Sequence, residues 1–180
     1  RIVFGDNARV IHNMTAPPIS GSYYGGGAIF LNGAPDGEVT FGKNAIVEKN
    51  EANYGGAIYA LGSVTFGEGA TIRENRVSTQ GGALRVTGTL TLNKGSLVEA
   101  NQADGAKSYG GALFVEGHAN ITGTTFRGNK TASTGNGGAI YVQKGSVVNL
   151  AGGTLMEGNE ASIGGAVLAN NSDINVNDTS

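Results

Sequence analysis

The chain has 180 residues, of which 32 are glycine, 18 asparagine and 3 proline, with no cysteine and no tryptophan. Charged residues make up 14% and the net charge is −2. Glycine without a three-residue period or abundant proline excludes collagen. Absent cysteine excludes a disulfide scaffold and a thiolate zinc site, and a chain that is not basic argues against phosphate-driven nucleic-acid binding. A hydrophobic share of 39% is enough to bury a core. No run of apolar residues has the length of a membrane-spanning helix, and no signal peptide is visible.

In chain order the first elements are two short apolar-alternating segments, Ile2/Phe4 and Ala8/Val10, followed by Asn13. A unit then begins that returns six times, each copy opened by Gly-Gly-Ala and an aliphatic residue. The first copy runs Gly26-Gly27, Ile29/Leu31, Val39/Phe41, Ala45/Val47, Asn50, and the second Gly55-Gly56, Ile58/Ala60, Val64/Phe66, Ala70/Ile72, Asn75. The third runs Gly81-Gly82, Leu84/Val86, Leu90/Leu92, Ser96/Val98, Asn101, and the fourth Gly110-Gly111, Leu113/Val115, Ala119/Ile121, Thr124/Phe126, Asn129. The fifth runs Gly137-Gly138, Ile140/Val142, Val148/Leu150, Thr154/Met156, Asn159, and the last holds Gly164-Gly165, Val167/Ala169 and Ile174/Val176. Successive glycine pairs lie 29, 26, 29, 27 and 27 residues apart.

Period-two alternation over three to five residues is the pattern of a half-buried strand. Three such strands in each unit predict an all-β fold: a right-handed parallel β-helix, or solenoid, with three short strands per rung and about six rungs. Residues 1–180 form one β-helix segment, expected to be part of a longer array because both ends fall inside a rung. We call the strand after the glycines strand one, and the next two strands two and three. Corners such as Gly42-Lys43-Asn44 need left-handed backbone, which Gly and Asn tolerate best. The column Asn13, Asn50, Asn75, Asn101, Asn129 and Asn159 is expected to stack between rungs and to bond backbone groups at the bend.

Gly-Gly-Ala-aliphatic alternating with apolar-x-x-Asn resembles the repeat pair of the chlamydial polymorphic membrane proteins. Phe126-Arg-Gly-Asn129 followed by Gly137-Gly-Ala-Ile140 carries the resemblance best. It implies a bacterial surface adhesin: an autotransporter passenger displayed outside the cell and attached to the outer membrane by a translocator barrel elsewhere in the full-length protein.

Alternation assigns Phe30, Tyr59, Arg85, Phe114, Tyr141 and Leu168 to the outward side of strand one, over a column of outward alanines, Ala28 to Ala166. A bare aromatic stripe on a soluble solenoid is a candidate contact surface, and Tyr24, Tyr54 and Tyr109 could widen it. Connections of varying length flank the same strand. The expected partner is a host cell-surface protein or glycan, with no nucleic acid. Outward on strand three, Glu48, Arg73, Glu99, Arg127 and Glu157 alternate in sign, as a register-fixing ladder would. No carboxylates gather as a catalytic pair, and His12 and His118 have no companions at metal-ligand spacing. The expectation is therefore a non-enzymatic module without metal or cofactor. Two other readings stay open: a segment of a carbohydrate-active β-helix enzyme, and a purely structural spacer.

Overall fold

A computed structural model describes residues 1–15, 25–32 and 36–177. Among them every assigned element is a strand and every strand pairing is parallel. No helix is long and apolar enough to cross a membrane.

The strand-two segments form a seven-stranded sheet from Ile2–Phe4 to Asp173–Asn177. Strand one builds a six-stranded sheet from Ile29–Leu31 to Val167–Ala169, and strand three another from Arg9–Ile11 to Leu155–Glu157. Six strands on a face enclose about five full turns, close to the six rungs expected. The register follows the sequence columns: Val39 lies beside Val64, Leu90 beside Ala119, and Val98 beside Phe126.

A fourth, shorter sheet adds to the three expected. It holds Glu51–Tyr54, Arg76–Gln80, Gln102–Ala103 and Lys130–Thr131, just after the asparagine column. Ala52, Val77, Ala103 and Thr131 fill its inner side. The signal was present, since a small or apolar residue follows each asparagine by two positions.

Inside, the columns stack like on like. The rings of Phe4, Phe41 and Phe66 lie almost parallel, with centroids 4.6 and 4.5 Å apart. That separation matches the roughly 4.8 Å spacing of neighbouring strands, so a flat ring repeats from rung to rung without a void. The strand-three column Val47, Ile72, Val98 and Phe126 is fully buried. Any apolar side chain that fills this column serves, which is why the first position of the apolar-x-x-Asn motif varies.

Candidate functional site

The site is built on strand one, and the Gly-Gly turn aims it. Gly55 stands for the first glycine of each pair, with φ +55° in the left-handed region. Gly82 stands for the second: a Cβ there would lie 1.7 Å from the carbonyl oxygen of Gly111 in the next rung. Such close backbone approach lets the chain turn sharply into the sheet.

The alanine after the glycines does not face outward as expected. Ala57, Ala83, Ala112 and Ala139 are buried in the core cluster. The cause is a bend in the ladder: the amides of Ala57 and Ile58 both donate to the carbonyl of Ala83, at 2.8 and 3.1 Å. Strict alternation therefore starts only after the alanine.

From the aliphatic residue onward the expected column does form. Phe30, Tyr59, Arg85, Phe114, Tyr141 and Leu168 lie side by side across the six strands. Its exposure is uneven. Phe30 is 47% exposed and Tyr59, Arg85 and Leu168 are half-buried, whereas Phe114 and Tyr141 are only 3% and 7% exposed. The bare stripe expected along the whole face is thus limited to part of it. Phe114 and Tyr141 stack at 5.1 Å, and Tyr109 sets its ring edge-on against Tyr141 at 4.8 Å. The Tyr141 hydroxyl also accepts a bond from the Asn170 amide at 3.0 Å. Tyr24 lies outside the described residues.

Arg85 divides the column. Its guanidinium lies 4.7 Å from the Tyr59 ring centroid, 5.0 Å from that of Tyr54 and 5.4 Å from that of Phe114. Nε and Nη2 both donate to Glu116 Oε2, at 3.0 and 2.8 Å. Glu116 was not singled out in the sequence. It belongs to a further outward column just beyond strand one (Asn32, Leu61, Thr87, Glu116, Gln143, Asn170) that continued alternation would have reached.

The strand-three charges keep the expected register, Glu48 beside Arg73, Arg73 beside Glu99, and Arg127 beside Glu157. They resolve into pairs rather than a continuous ladder. Arg73 Nε bonds Glu48 at 2.6 Å and Arg127 Nε bonds Glu157 at 2.5 Å, while among the described residues no ion pair reaches Glu99. A guanidinium that turns toward one neighbour leaves the other. The hydrogen bond from Arg73 holds the Glu48 carboxyl below its ordinary value of 4.5. Further inter-rung pairs join Lys43 to Glu68, Lys49 to Glu74 and Arg76 to Asp104. His12 and His118 are exposed and lie on different stretches of the surface.

The asparagine column is the most regular feature. The side-chain amide nitrogens of Asn50, Asn75, Asn101 and Asn129 each donate to the side-chain oxygen of the next asparagine at 2.9–3.0 Å. Asn50, Asn75, Asn101, Asn129 and Asn159 also donate to the carbonyls of Val10, Val47, Ile72, Val98 and Phe126, respectively. The motif's first residue thus offers its side chain to the core and its carbonyl to the next rung's asparagine. The residue before each asparagine is left-handed, from His12 at φ 57° to Gly158 at φ 60°.

Residues 123–143 match the Chlamydia polymorphic membrane protein repeat. The matched stretch contains both motifs, Phe126 to Asn129 and Gly137 to Ile140. No curated protein and no solved structure matches the chain.

Proposed function

We propose that the chain is part of a surface-displayed passenger, a non-enzymatic rod that binds a host cell-surface protein or glycan through the outward face of strand one. The polymorphic membrane protein repeat and the parallel β-solenoid support a surface protein of this kind. Its place would be outside the bacterial cell, tethered to the outer membrane by a translocator barrel. The observation that carries the choice of face is the aromatic column around Arg85. Elsewhere the charged side chains largely pair from rung to rung, and here rings remain partly open to solvent.

The test concerns the open rings only. Phe30→Ser with Tyr59→Ser removes apolar surface where it faces solvent, while Phe114 and Tyr141 belong to the packing. The double variant is expected to keep its circular-dichroism spectrum and to bind host cells at least about tenfold more weakly. Undiminished binding by the folded variant would overturn the assignment of the face.

A further inference from the structure

We propose that the ligand of the strand-one face is a neutral glycan, held at its open half around Tyr59, Arg85 and Glu116. This inference rests on the reading of strand one as the binding face and narrows it to one ligand chemistry.

Charge is the first argument. Gly25, Tyr54, Gln80, Tyr109, Asn136 and Ile163 align before the Gly-Gly turns and border the aromatic column on one side. The column with Thr87 and Glu116 borders it on the other. In these three columns the charged residues are Arg85 and Glu116, and they neutralise each other through two bonds to one oxygen. An acidic peptide or an anionic sugar would have to displace a carboxylate already seated on the guanidinium. A neutral ligand need not.

The second argument is the hydrogen-bonding capacity that the pair leaves over. Arg85 uses Nε and Nη2, and Glu116 uses Oε2. Among the described residues Arg85 Nη1 and Glu116 Oε1 have no partner, so the pair keeps a donor on the far edge of the guanidinium and an acceptor on the carboxylate. Ring contacts on Tyr54, Tyr59 and Phe114 fix the guanidinium, so little side-chain freedom is left to lose on binding. Side chains that are 15% and 25% exposed are reachable yet shielded from bulk water. A fixed donor and a separate fixed acceptor suit sugar hydroxyls, each of which can both donate and accept.

The third argument is area. On the half of the face around Arg85 the open apolar surface is mainly that of Phe30 and Tyr59, 5.2 Å apart; Phe114 and Tyr141 are covered, and the exposed Ile163 stands at the far end of the sheet. Two rings can carry the C–H face of one or two sugars, but they are a narrow core for a protein interface of standard size. Gln143 and Thr87 extend the polar border; the Thr87 hydroxyl donates to the Leu61 carbonyl at 3.0 Å and keeps its acceptor capacity for a ligand hydroxyl.

The experiment places the chain on an array of neutral, sialylated and sulfated glycans. In parallel it measures attachment to host cells before and after enzymatic removal of surface glycans. Binding to a neutral subset, and loss of cell attachment on deglycosylation, are expected. Glu116→Gln removes the acceptor's charge and frees Arg85. It is expected to weaken neutral-glycan binding at least about tenfold and to create binding to sialylated glycans, a change that a merely structural role would not produce. If that variant fails to fold, competition of wild-type attachment by the free neutral oligosaccharide keeps the test decisive. Wild-type preference for charged glycans, binding to none of the array, or attachment to deglycosylated cells would overturn the proposal. If such attachment is still lost with Phe30→Ser and Tyr59→Ser, the face is right and its partner is a protein. If the double variant attaches normally, the reading of the face itself falls.

Discussion

Asn101 shows how much one side chain does in this fold. It donates to Asn129 and to the Ile72 carbonyl, and its oxygen accepts from both the backbone and side-chain nitrogens of Asn75. All of this is buried, where each stranded polar group costs about 1–3 kcal/mol. Asn101→Ala is therefore expected to destabilise the solenoid by roughly 2–4 kcal/mol, read by urea denaturation. A loss below about 1 kcal/mol would mean that water replaces the ladder. The neighbouring position predicts the opposite sign. Ala100 sits at φ 52°, where Gly128 and Gly158 stand in later rungs. Left-handed backbone costs a non-glycine residue about 1–2 kcal/mol, and glycine's extra unfolded-state entropy returns about 0.4–1 of that. Ala100→Gly should thus stabilise by about 0.5–1 kcal/mol, read by the same denaturation.

At the level of the strand, the inter-rung ion pairs set the response to acid. Glu48 is buried beside Arg73, and the hydrogen bond from that guanidinium holds its carboxyl below the ordinary 4.5. A carboxylate whose folded value is depressed contributes stability that is present above its unfolded value and lost as pH falls through the folded one. Stability should therefore decline below about pH 4.5. Glu48→Gln should flatten that decline, while the exposed pair of Glu68 with Lys43 leaves only a shallow remainder. Thermal melts of both chains across pH 3 to 7 test this; an unchanged acid slope would refute it. The strands themselves were legible because alternation and recurrence reinforce each other: the columns through Val64, Ile72 and Leu84 follow from spacing alone. Three things were not legible. Alternation fails at Ala83 because the ladder bends there. The fourth strand leaves only a single small or apolar residue two places after each asparagine, a column visible across rungs but with no alternation inside Gln102–Ala103 or Lys130–Thr131 to mark it as a strand. The cover over Tyr141 comes from Tyr109 in the preceding rung, and spacing within one rung carries no record of it.

For the molecule as a whole, sheets stacked along one axis make each rung answer mainly to its neighbours, and that arrangement disposes of the charge. Net charge is only −2, and opposite charges meet across rungs on strand three, on the corner with Lys43 and Glu68, and on strand one at Arg85. Paired charges about 4.8 Å apart cancel within a Debye length of roughly 8 Å, so little field extends into solvent. A rod of this kind cannot draw a partner from a distance. Binding of the kind proposed would rest on contact, through ring surface and short hydrogen bonds. Attachment to host cells should consequently change by less than about threefold between roughly 0.05 and 0.5 M salt, because screening has almost nothing to remove. Surface plasmon resonance on isolated cell-surface material, with dissociation followed across that range, measures it. A tenfold or greater loss would place the binding energy in long-range charge and move the site away from strand one. A nearly flat salt profile, with binding that vanishes in the Phe30→Ser, Tyr59→Ser chain, would tie the binding energy to the open rings beside Arg85, because the pairing of charge in the solenoid leaves contact as the remaining source of affinity.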